Sequence, residues 1–123
     1  MKKAYKSSEH STAPLSGARE VGGLVFVSGQ IHLNSEGKLE GDTIEEQFAI
    51  TLSNVENLLK EAGLTLEHIV RVQLYLTDLT QLPALNKAYV TYFQHPLPAR
   101  TAIGVSALPL GASLEMDVVA SRD

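Results

Sequence analysis

The chain has 123 residues, 44% of them hydrophobic, no cysteine and a formal net charge of −4 at pH 7. This length and apolar content predict a single domain, residues 1–123, that folds without a disulfide or a metal ion. The lack of cysteine excludes thiol nucleophiles and iron–sulfur ligation, and the acidic balance argues against binding nucleic acid by neutralising its phosphates. The sequence has neither a signal-peptide pattern nor a membrane-spanning run, so we expect a cytoplasmic protein with no membrane partner.

The first predicted elements form a β-hairpin. Residues 18–21 and the alternating run 24–31 are strand-like, and Gly22-Gly23 between them suits a tight turn. Ser28-Gly29-Gln30 interrupts the second strand with a glycine and two polar side chains. A glycine inside a strand indicates a bulge or the close approach of other atoms. The segment is therefore either an ordinary sheet irregularity or a strand defect at a functional site.

A helix and a regular strand follow the hairpin. Apolar side chains recur at helical spacing over residues 44–62. Asp42 or Thr43 provides the N-cap of this helix, and Gly63 ends it. Residues 69–76 then alternate between apolar and polar side chains, which is the period of a strand. The one-sided apolar face of the helix predicts packing against a sheet.

A second helix and two further strands complete the predicted order. Apolar residues follow one helical face from Leu82 to Phe93, and the helix is expected to end before Pro96. Asp78 or Thr80 provides its cap. The last two strands and the turn between them are residues 101–105, 114–120 and 108–111.

The predicted element order is therefore β-β-α-β-α-β-β, an α+β fold that has a mixed sheet with two helices on one face. Two helices leave the other face of the sheet without cover. Because an uncovered apolar sheet face commonly packs against another protein surface, we expect a further subunit there.

An arginine and an acidic strand are the main candidates for chemistry. Arg100 follows Pro98, whose fixed backbone stiffens the start of the strand. Glu115 and Asp117 are two positions apart on a later strand and hence lie on one face. A guanidinium fork suits a small carboxylate, and a neighbouring acid can move protons. The alternatives left open are a surface or paired arginine and a solvated acidic face.

Other residue types indicate no metal or phosphate site. No metal-ligand spacing connects the histidines, which are His10, His32, His68 and His95. The glycines form neither a phosphate loop nor a nucleophile elbow. Asn86 lies among apolar positions of the second helix, where its amide either reaches a ligand or faces solvent.

A series of short motifs spans residues 13–120. They are Val27-Ser28-Gly29-Gln30-Ile31, Asn54-Val55 through Ala62-Gly63-Leu64, Val72 to Asp78, Asn86-Lys87-Ala88-Tyr89, Pro98-Ala99-Arg100, Ala107-Leu108-Pro109 and Leu114-Glu115-Met116-Asp117. In this order and spacing they resemble the Rid family, also called YjgF-like or RidA-like proteins, the reactive-intermediate imine and enamine deaminases.

The resemblance implies a chorismate-mutase-like fold, a homotrimer with clefts between subunits, and hydrolysis of 2-imino or 2-enamino acids to 2-keto acids and ammonia. It implies no metal and no organic cofactor. The position matching Arg100 binds the substrate carboxylate, and the one matching Glu115 positions or activates water. The other implied pocket positions are Ser28, Gly29, Asn86 and the backbone near Ala102.

The chain departs from the family pattern at three places. Ala13-Pro14-Leu15 puts Leu15 where strongly active members carry the tyrosine of Gly-Pro-Tyr, which removes a hydroxyl and an aromatic wall from the pocket. The stretch from Phe93 to Arg100 is shorter than in the best-known members, and Ala102 takes a place that cysteine often holds. These changes leave the substrate range and the rate open.

Three functions are consistent with these residues. The first is a deaminase of 2-imino and 2-enamino acids, favoured by the retention of Arg100 and Glu115. The second is a non-catalytic trimeric binding protein for small carboxylates or keto acids, which is favoured because Leu15 stands in place of the family's tyrosine. The third, RNA cleavage, is disfavoured by the acidic composition.

Overall fold

Six strands form one mixed sheet in the computed structural model, which describes residues 2–6 and 12–123. The strands are β1 (Lys3–Tyr5), β2 (Ala18–Val21), β3 (Leu24–Ile31), β4 (Ile69–Leu76), β5 (Ala99–Gly104) and β6 (Leu114–Ser121). The helices are α1 (Ile44–Glu61) and α2 (Leu82–Tyr89), with short 3-10 helices at Leu66–His68, Leu79–Gln81 and Pro109–Gly111. The order across the sheet is β1-β2-β3-β6-β4-β5, in which β4 and β5 run parallel and the other neighbours antiparallel.

Local chemistry accounts for the predicted hairpin and the first helix. Gly22 and Gly23 have φ values of 60° and 79°, the left-handed region that the tight turn between β2 and β3 requires. Thr43 begins α1 with a capping box: its hydroxyl accepts the backbone N–H of Glu46 at 3.2 Å, and the Glu46 carboxylate accepts the backbone N–H of Thr43 at 3.2 Å. The hairpin and the capped helix are thus confirmed.

The predicted α+β class is confirmed, and the structure differs from the prediction by one added strand, in the cap and the end of the second helix, and in the start of β5. It adds β1, whose three residues are too few to show alternation and pair with β2. Asp78 caps the 3-10 helix Leu79–Gln81 and not α2, whose N-cap Gln81 makes no side-chain hydrogen bond. The second helix ends at Tyr89 instead of continuing toward Pro96, because residues 90–92 form turns. Strand β5 begins at Ala99, two residues before the predicted start.

The helices cover one face of the sheet and leave the other open. Phe48 and Leu59 of α1 share one buried core with alternate strand residues such as Leu74 and Met116. The opposite side, which we call the open face, carries Glu115, Asp117 and their neighbours in register. Its exposed apolar side chains are Val21, Leu24, Phe26 and Ile103.

Candidate active site

Glu115 lies on the open face against a bulge in β3. Between Val27 and Gln30 the register with β6 shifts, and β3 carries one extra residue. Gly29 lies in this bulge, where a Cβ atom would come within 2.9 Å of the Glu115 Cδ and overlap one of its carboxylate oxygens. The missing side chain provides the space that this carboxyl group occupies. The predicted strand interruption is therefore a bulge, and it adjoins a predicted site residue.

The two acids of β6 have different surroundings. Burial, and after it the neighbouring Asp117 carboxylate, raise the pKa of Glu115. Asp117 accepts hydrogen bonds from Gln73 Nε2 at 3.1 Å and from the Tyr75 hydroxyl at 2.9 Å. Burial, followed by the bond to Asp117, raises the pKa of Tyr75, so this hydroxyl remains a donor. Glu115 thus keeps its proton to a higher pH than an exposed glutamate does.

Arg100 lies on the edge strand β5, over the ring of Tyr89. Its Cζ is 4.8 Å from the ring centroid, a cation–π distance. Tyr89 is 4% exposed and stacks on Phe93 with centroids 4.5 Å apart, so a packed aromatic layer supports the guanidinium. Within the described residues Arg100 forms no ion pair. Its N–H donors therefore remain available to a ligand.

The Tyr89 side chain combines two features. Its ring belongs to the core, but its hydroxyl is buried without a hydrogen-bond partner in the part of the chain that the structure describes. Burial also raises the pKa of Tyr89, although the nearby charge of Arg100 opposes this change. The residue therefore supports Arg100 through its ring and not through its hydroxyl.

Arg100 and Glu115 lie on opposite faces of the sheet. Arg100 is in register with Val72 of β4, which is fully buried. Glu115 is in register with another β4 residue, Tyr75, on the open face. Directly paired residues of adjacent strands share a face, so the arginine points toward α2 and the acid points away from it. One chain does not bring these predicted catalytic residues together. A site that uses both needs a second chain.

The other predicted pocket residues divide between these two locations. Ser28 donates its hydroxyl to the carbonyl oxygen of Ser16 at 2.6 Å, which holds the segment of Leu15 against the bulge. The Leu15 side chain is 50% exposed. We call Leu15, Ser28, Gly29 and Glu115 the acid half-site.

The second group of predicted residues lies on β5 and α2, the elements that carry Arg100 and the Tyr89 ring beneath it. Ala102 is in register with Leu74 on the helix-covered face and packs against the core, so it points the same way as Arg100. Asn86 is exposed on α2. We call Asn86, Tyr89, Arg100 and Ala102 the arginine half-site.

Sequence reasoning missed the roles of Gln73, Tyr75 and Tyr89. The alternation of residues 69–76 places Gln73 and Tyr75 on one face of a strand, a signal that was available. It does not reveal that β4 lies beside β6, which brings both side chains to the acids. The position of Tyr89 on the apolar face of the second helix indicates packing, and nothing in the local pattern indicates that Arg100 stacks on it.

Across residues 2–6 and 12–123, no group of three or more His, Cys, Asp or Glu side chains could hold a metal ion. His32 is instead buried between the carbonyl oxygen of Glu40, 2.9 Å from Nδ1, and the N–H of Ser113, 3.0 Å from Nε2. His10 lies outside the described residues. In the same ranges, no helix has the length and apolar character needed to cross a membrane.

Comparisons with known proteins identify the family. A family model described as endoribonuclease L-PSP matches residues 6–122. A RutC family protein of Aquifex aeolicus is 46% identical over 113 residues, covering 89% of each chain. A mouse protein named 2-iminobutanoate/2-iminopropanoate deaminase is 36% identical over 108 residues, covering 87% of this chain and 80% of the mouse protein. The crystal structure of Escherichia coli TdcF with bound serine has a TM-score of 0.88 and 28% identity, covering 98% of this chain and 99% of TdcF.

The relatives' names agree on the family more than on the chemistry. Some are named as reactive-intermediate deaminases, whereas others carry names that state no reaction. They include proteins named as mitochondrial and chloroplastic, so the cytoplasmic location of this chain stays a prediction. The match over nearly all residues and the shared fold show that the chain belongs to the YjgF/RidA/Rid family.

Proposed function

We propose that the chain is a deaminase that hydrolyses reactive 2-imino and 2-enamino acids, such as 2-aminoacrylate or 2-iminobutanoate, to 2-keto acids and ammonia. The observation that carries this proposal is the Arg100 guanidinium, which is fixed on the Tyr89 ring without a carboxylate partner among the described residues. A planar fork of donors suits the carboxylate that all these substrates share. The deaminase name of the mouse relative and the serine bound to TdcF, itself a carboxylate, support the same substrate class.

The chemistry requires an anion clamp and one proton carrier. Water adds to the imine carbon while Glu115 gives its proton to nitrogen and takes one from the attacking oxygen, which produces a carbinolamine. Glu115 then protonates the nitrogen again, the C–N bond breaks, ammonia leaves, and the hydroxyl returns its proton to Glu115. A positioned acid–base group of this kind is worth about 10²–10⁴-fold in rate. The raised pKa of Glu115 suits a group that must hold a proton before substrate arrives.

The two half-sites meet in this proposal between chains of a homotrimer. Arg100 and Glu115 point to opposite sides of one sheet, so each needs a partner from a neighbouring copy. The open face carries an exposed apolar patch in which Val21 pairs with Leu24 and Phe26 follows two residues later, and contiguous apolar surface of this kind marks interaction sites. The number of three subunits rests on the resemblance to the family.

An assay with substrate made in place tests the proposed reaction. An amino-acid oxidase generates 2-iminobutanoate, and semicarbazide traps the imine that has not been hydrolysed. A protein that hydrolyses the imine therefore lowers the amount of trapped product. We expect Arg100→Ala to lose both rate and carboxylate binding, and Glu115→Ala to bind while its rate falls by about 10²–10⁴-fold. Lys60→Ala is the matched control, since it removes one positive charge at an exposed position of α1. Equal rates in all four proteins would exclude the deaminase.

Mixing two inactive variants tests whether each site draws on two chains. Arg100→Ala and Glu115→Gln are unfolded together and refolded, so that mixed oligomers form. If each site takes its arginine from one chain and its acid from the next, about a quarter of the sites in a random mixture regain both residues. Activity near that fraction of wild type supports sites between subunits. A mixture that stays inactive while native mass spectrometry shows mixed trimers contradicts them.

Leu15 favours a second candidate function, a trimeric binding protein for small carboxylates or keto acids. Its half-exposed aliphatic side chain provides no hydroxyl in the acid half-site. Calorimetry with 2-oxobutanoate separates the two functions when it is combined with the trapping assay. Binding that depends on Arg100, without hydrolysis of the imine, supports the binding protein. Unchanged binding in Arg100→Ala excludes it.

A further inference from the structure

The two carboxyl groups of β6 differ in their hydrogen bonds. Each oxygen of Asp117 has its own donor, with Gln73 Nε2 at 3.1 Å from Oδ1 and the Tyr75 hydroxyl at 2.9 Å from Oδ2. Glu115 has no hydrogen bond within the described residues and lies against the bulge at Gly29. Donors that bind a carboxylate stabilise its charged form, and of this pair only Asp117 has them among the described residues.

The strands on either side of β6 present few other charges to Glu115. From β4 come Tyr75 in register with Glu115, Gln73 in register with Asp117, and Arg71 in register with the following open-face residue. Arg71 turns toward β5, where its Nη2 donates to Thr101 Oγ1 at 3.3 Å. From β3 come the bulge and Ile31, which do not titrate. Asp117 is therefore the charged group that acts most directly on Glu115.

We propose that Asp117 is a positioning residue for the proton of Glu115: its carboxylate, held by Gln73 and Tyr75, keeps the proton of the acidic pair on Glu115, from which it is delivered to the substrate nitrogen. The proposal rests on the proposed deaminase function, because it assigns Glu115 as the donor in the first step. Two like charges on one strand face oppose each other, so the Asp117 carboxylate raises the pKa of Glu115. The pair thus separates a hydrogen-bonded carboxylate from a carboxyl group that has no such bond among the described residues and can transfer its proton.

A carboxyl titration tests this division without requiring any activity. The ¹³C carboxyl signals of labelled protein are followed against pH, and the Glu115 signal is assigned as the one lost in Glu115→Gln. We expect its midpoint to fall by about 0.5–1 pH unit in Asp117→Asn, because the neighbouring charge is gone. Asp117→Glu retains the charge and should titrate near wild type, and Asp117→Ser replaces the asparagine variant if that one fails to fold. An unmoved Glu115 midpoint in the neutral variants would overturn the proposal.

The rate profile supplies the functional half of the test. The high-pH limb of kcat/KM should move to lower pH in Asp117→Asn by the same amount as the carboxyl midpoint, with the low-pH rate retained. Glu61→Gln makes the same change in net charge at an exposed end of α1 and should move neither quantity. Absence of deaminase activity with a shifted midpoint refutes the proposed function, and with it the delivery of the proton to a substrate, and leaves only the effect of Asp117 on the protonation of Glu115. Activity with an unmoved limb and midpoint refutes the role of Asp117 alone.

Discussion

Two acid–arginine combinations of the same sheet are arranged in opposite ways. Arg122, just after β6, bonds directly to Glu20 of β2, with Nε at 2.5 Å from Oε2 and Nη2 at 2.8 Å from Oε1. The same Nη2 also donates to the carbonyl oxygen of Ala62 at 2.7 Å. Arg100 and Glu115 instead occupy opposite faces and share no bond. The first arginine uses its fork to join structural elements, while the second has no acidic partner for its fork among the described residues.

The chemical state of the two acids follows from this difference. Hydrogen bonds from Arg122 and then from Tyr5 lower the pKa of Glu20 to about 2. Burial without such a partner raises the pKa of Glu115. Glu20 is thus held as an anion, whereas Glu115 keeps its proton to a higher pH than an ordinary glutamate does. The separation of Arg100 from Glu115 within one chain leaves the guanidinium without an acidic partner among the described residues and leaves the pKa of Glu115 raised.

Gly29→Ala should cause the largest loss of activity, because it displaces Glu115, the acid without an arginine partner in its own chain. A methyl group at Gly29 would overlap the Glu115 carboxylate and force it from its position. Since misplacing a catalytic group by about 1 Å can cost about 100-fold in rate, we expect a loss of at least about that size in kcat/KM. The trapping assay measures it.

Gly104→Ala is the matched control for that substitution. Gly104 is also a strand glycine, but a Cβ there would meet only ordinary contacts, the closest being Leu79 Cβ at 3.6 Å. Its activity should remain near wild type. A similar loss in both variants would show that strand glycines act through stability, and full activity in Gly29→Ala would show that the position of Glu115 is not set by the bulge.

Tyr89→Leu should weaken carboxylate binding by Arg100, because it removes the ring beneath the guanidinium. A cation–π contact is worth about 0.5–2 kcal/mol, so carboxylate affinity should fall by about 10-fold. Tyr89→Phe keeps the ring and removes a hydroxyl that has no partner among the described residues, so its affinity and stability should equal or exceed those of wild type. Titration calorimetry with 2-oxobutanoate compares the three proteins. A loss in Tyr89→Phe equal to that in Tyr89→Leu would assign the effect to the hydroxyl.

The local features of the fold were readable from the sequence. The capping box of Thr43, the glycine hairpin and the interruption at Gly29 each depend on residues close together in the chain, so their patterns predict them directly. The shared face of Glu115 and Asp117 follows from strand alternation for the same reason. The sequence and its family resemblance therefore predict the members of both half-sites apart from Tyr89.

The relation between the half-sites could not be read in this way. It depends on β5 lying parallel to β4 in a register that puts Arg100 beside Val72. Residues 90–98 connect α2 to β5, and no periodicity in them predicts this register. The same gap concealed Gln73 and Tyr75, whose contact with Asp117 depends on β4 being next to β6. Long-range strand order is the information that single-strand patterns lack.

Leu15→Tyr should raise kcat/KM, by less than Gly29→Ala lowers it. The tyrosine adds a hydroxyl and an aromatic wall beside the segment that Ser28 holds. One new hydrogen bond is worth about 0.5–1.5 kcal/mol, which corresponds to a rise of about 2- to 10-fold in kcat/KM. Leu15→Phe separates the ring from the hydroxyl. No rise in either variant would show that Leu15 does not limit the rate.

The smallest expected effect is on stability, and it has opposite signs for the two acids. The folded pKa of Glu20 lies below its ordinary value of 4.5, so its contribution to stability is present above that pH and is lost as the pH falls toward about 2. The folded pKa of Glu115 lies above its ordinary value. Its contribution is therefore present at acidic pH and is lost as the pH rises through the raised value.

Urea unfolding at several pH values compares Glu20→Gln and Glu115→Gln with wild type. Glu20→Gln should be less stable than wild type at neutral pH, and the difference should narrow on acidification as wild type loses the charge on Glu20. Glu115→Gln should match wild type in acid and become the more stable protein toward neutral pH, because it no longer has to bury a charge beside Asp117. If the difference in unfolding free energy from wild type changed with pH in the same direction for both variants, the proposed contrast between Glu20 and Glu115 would be wrong.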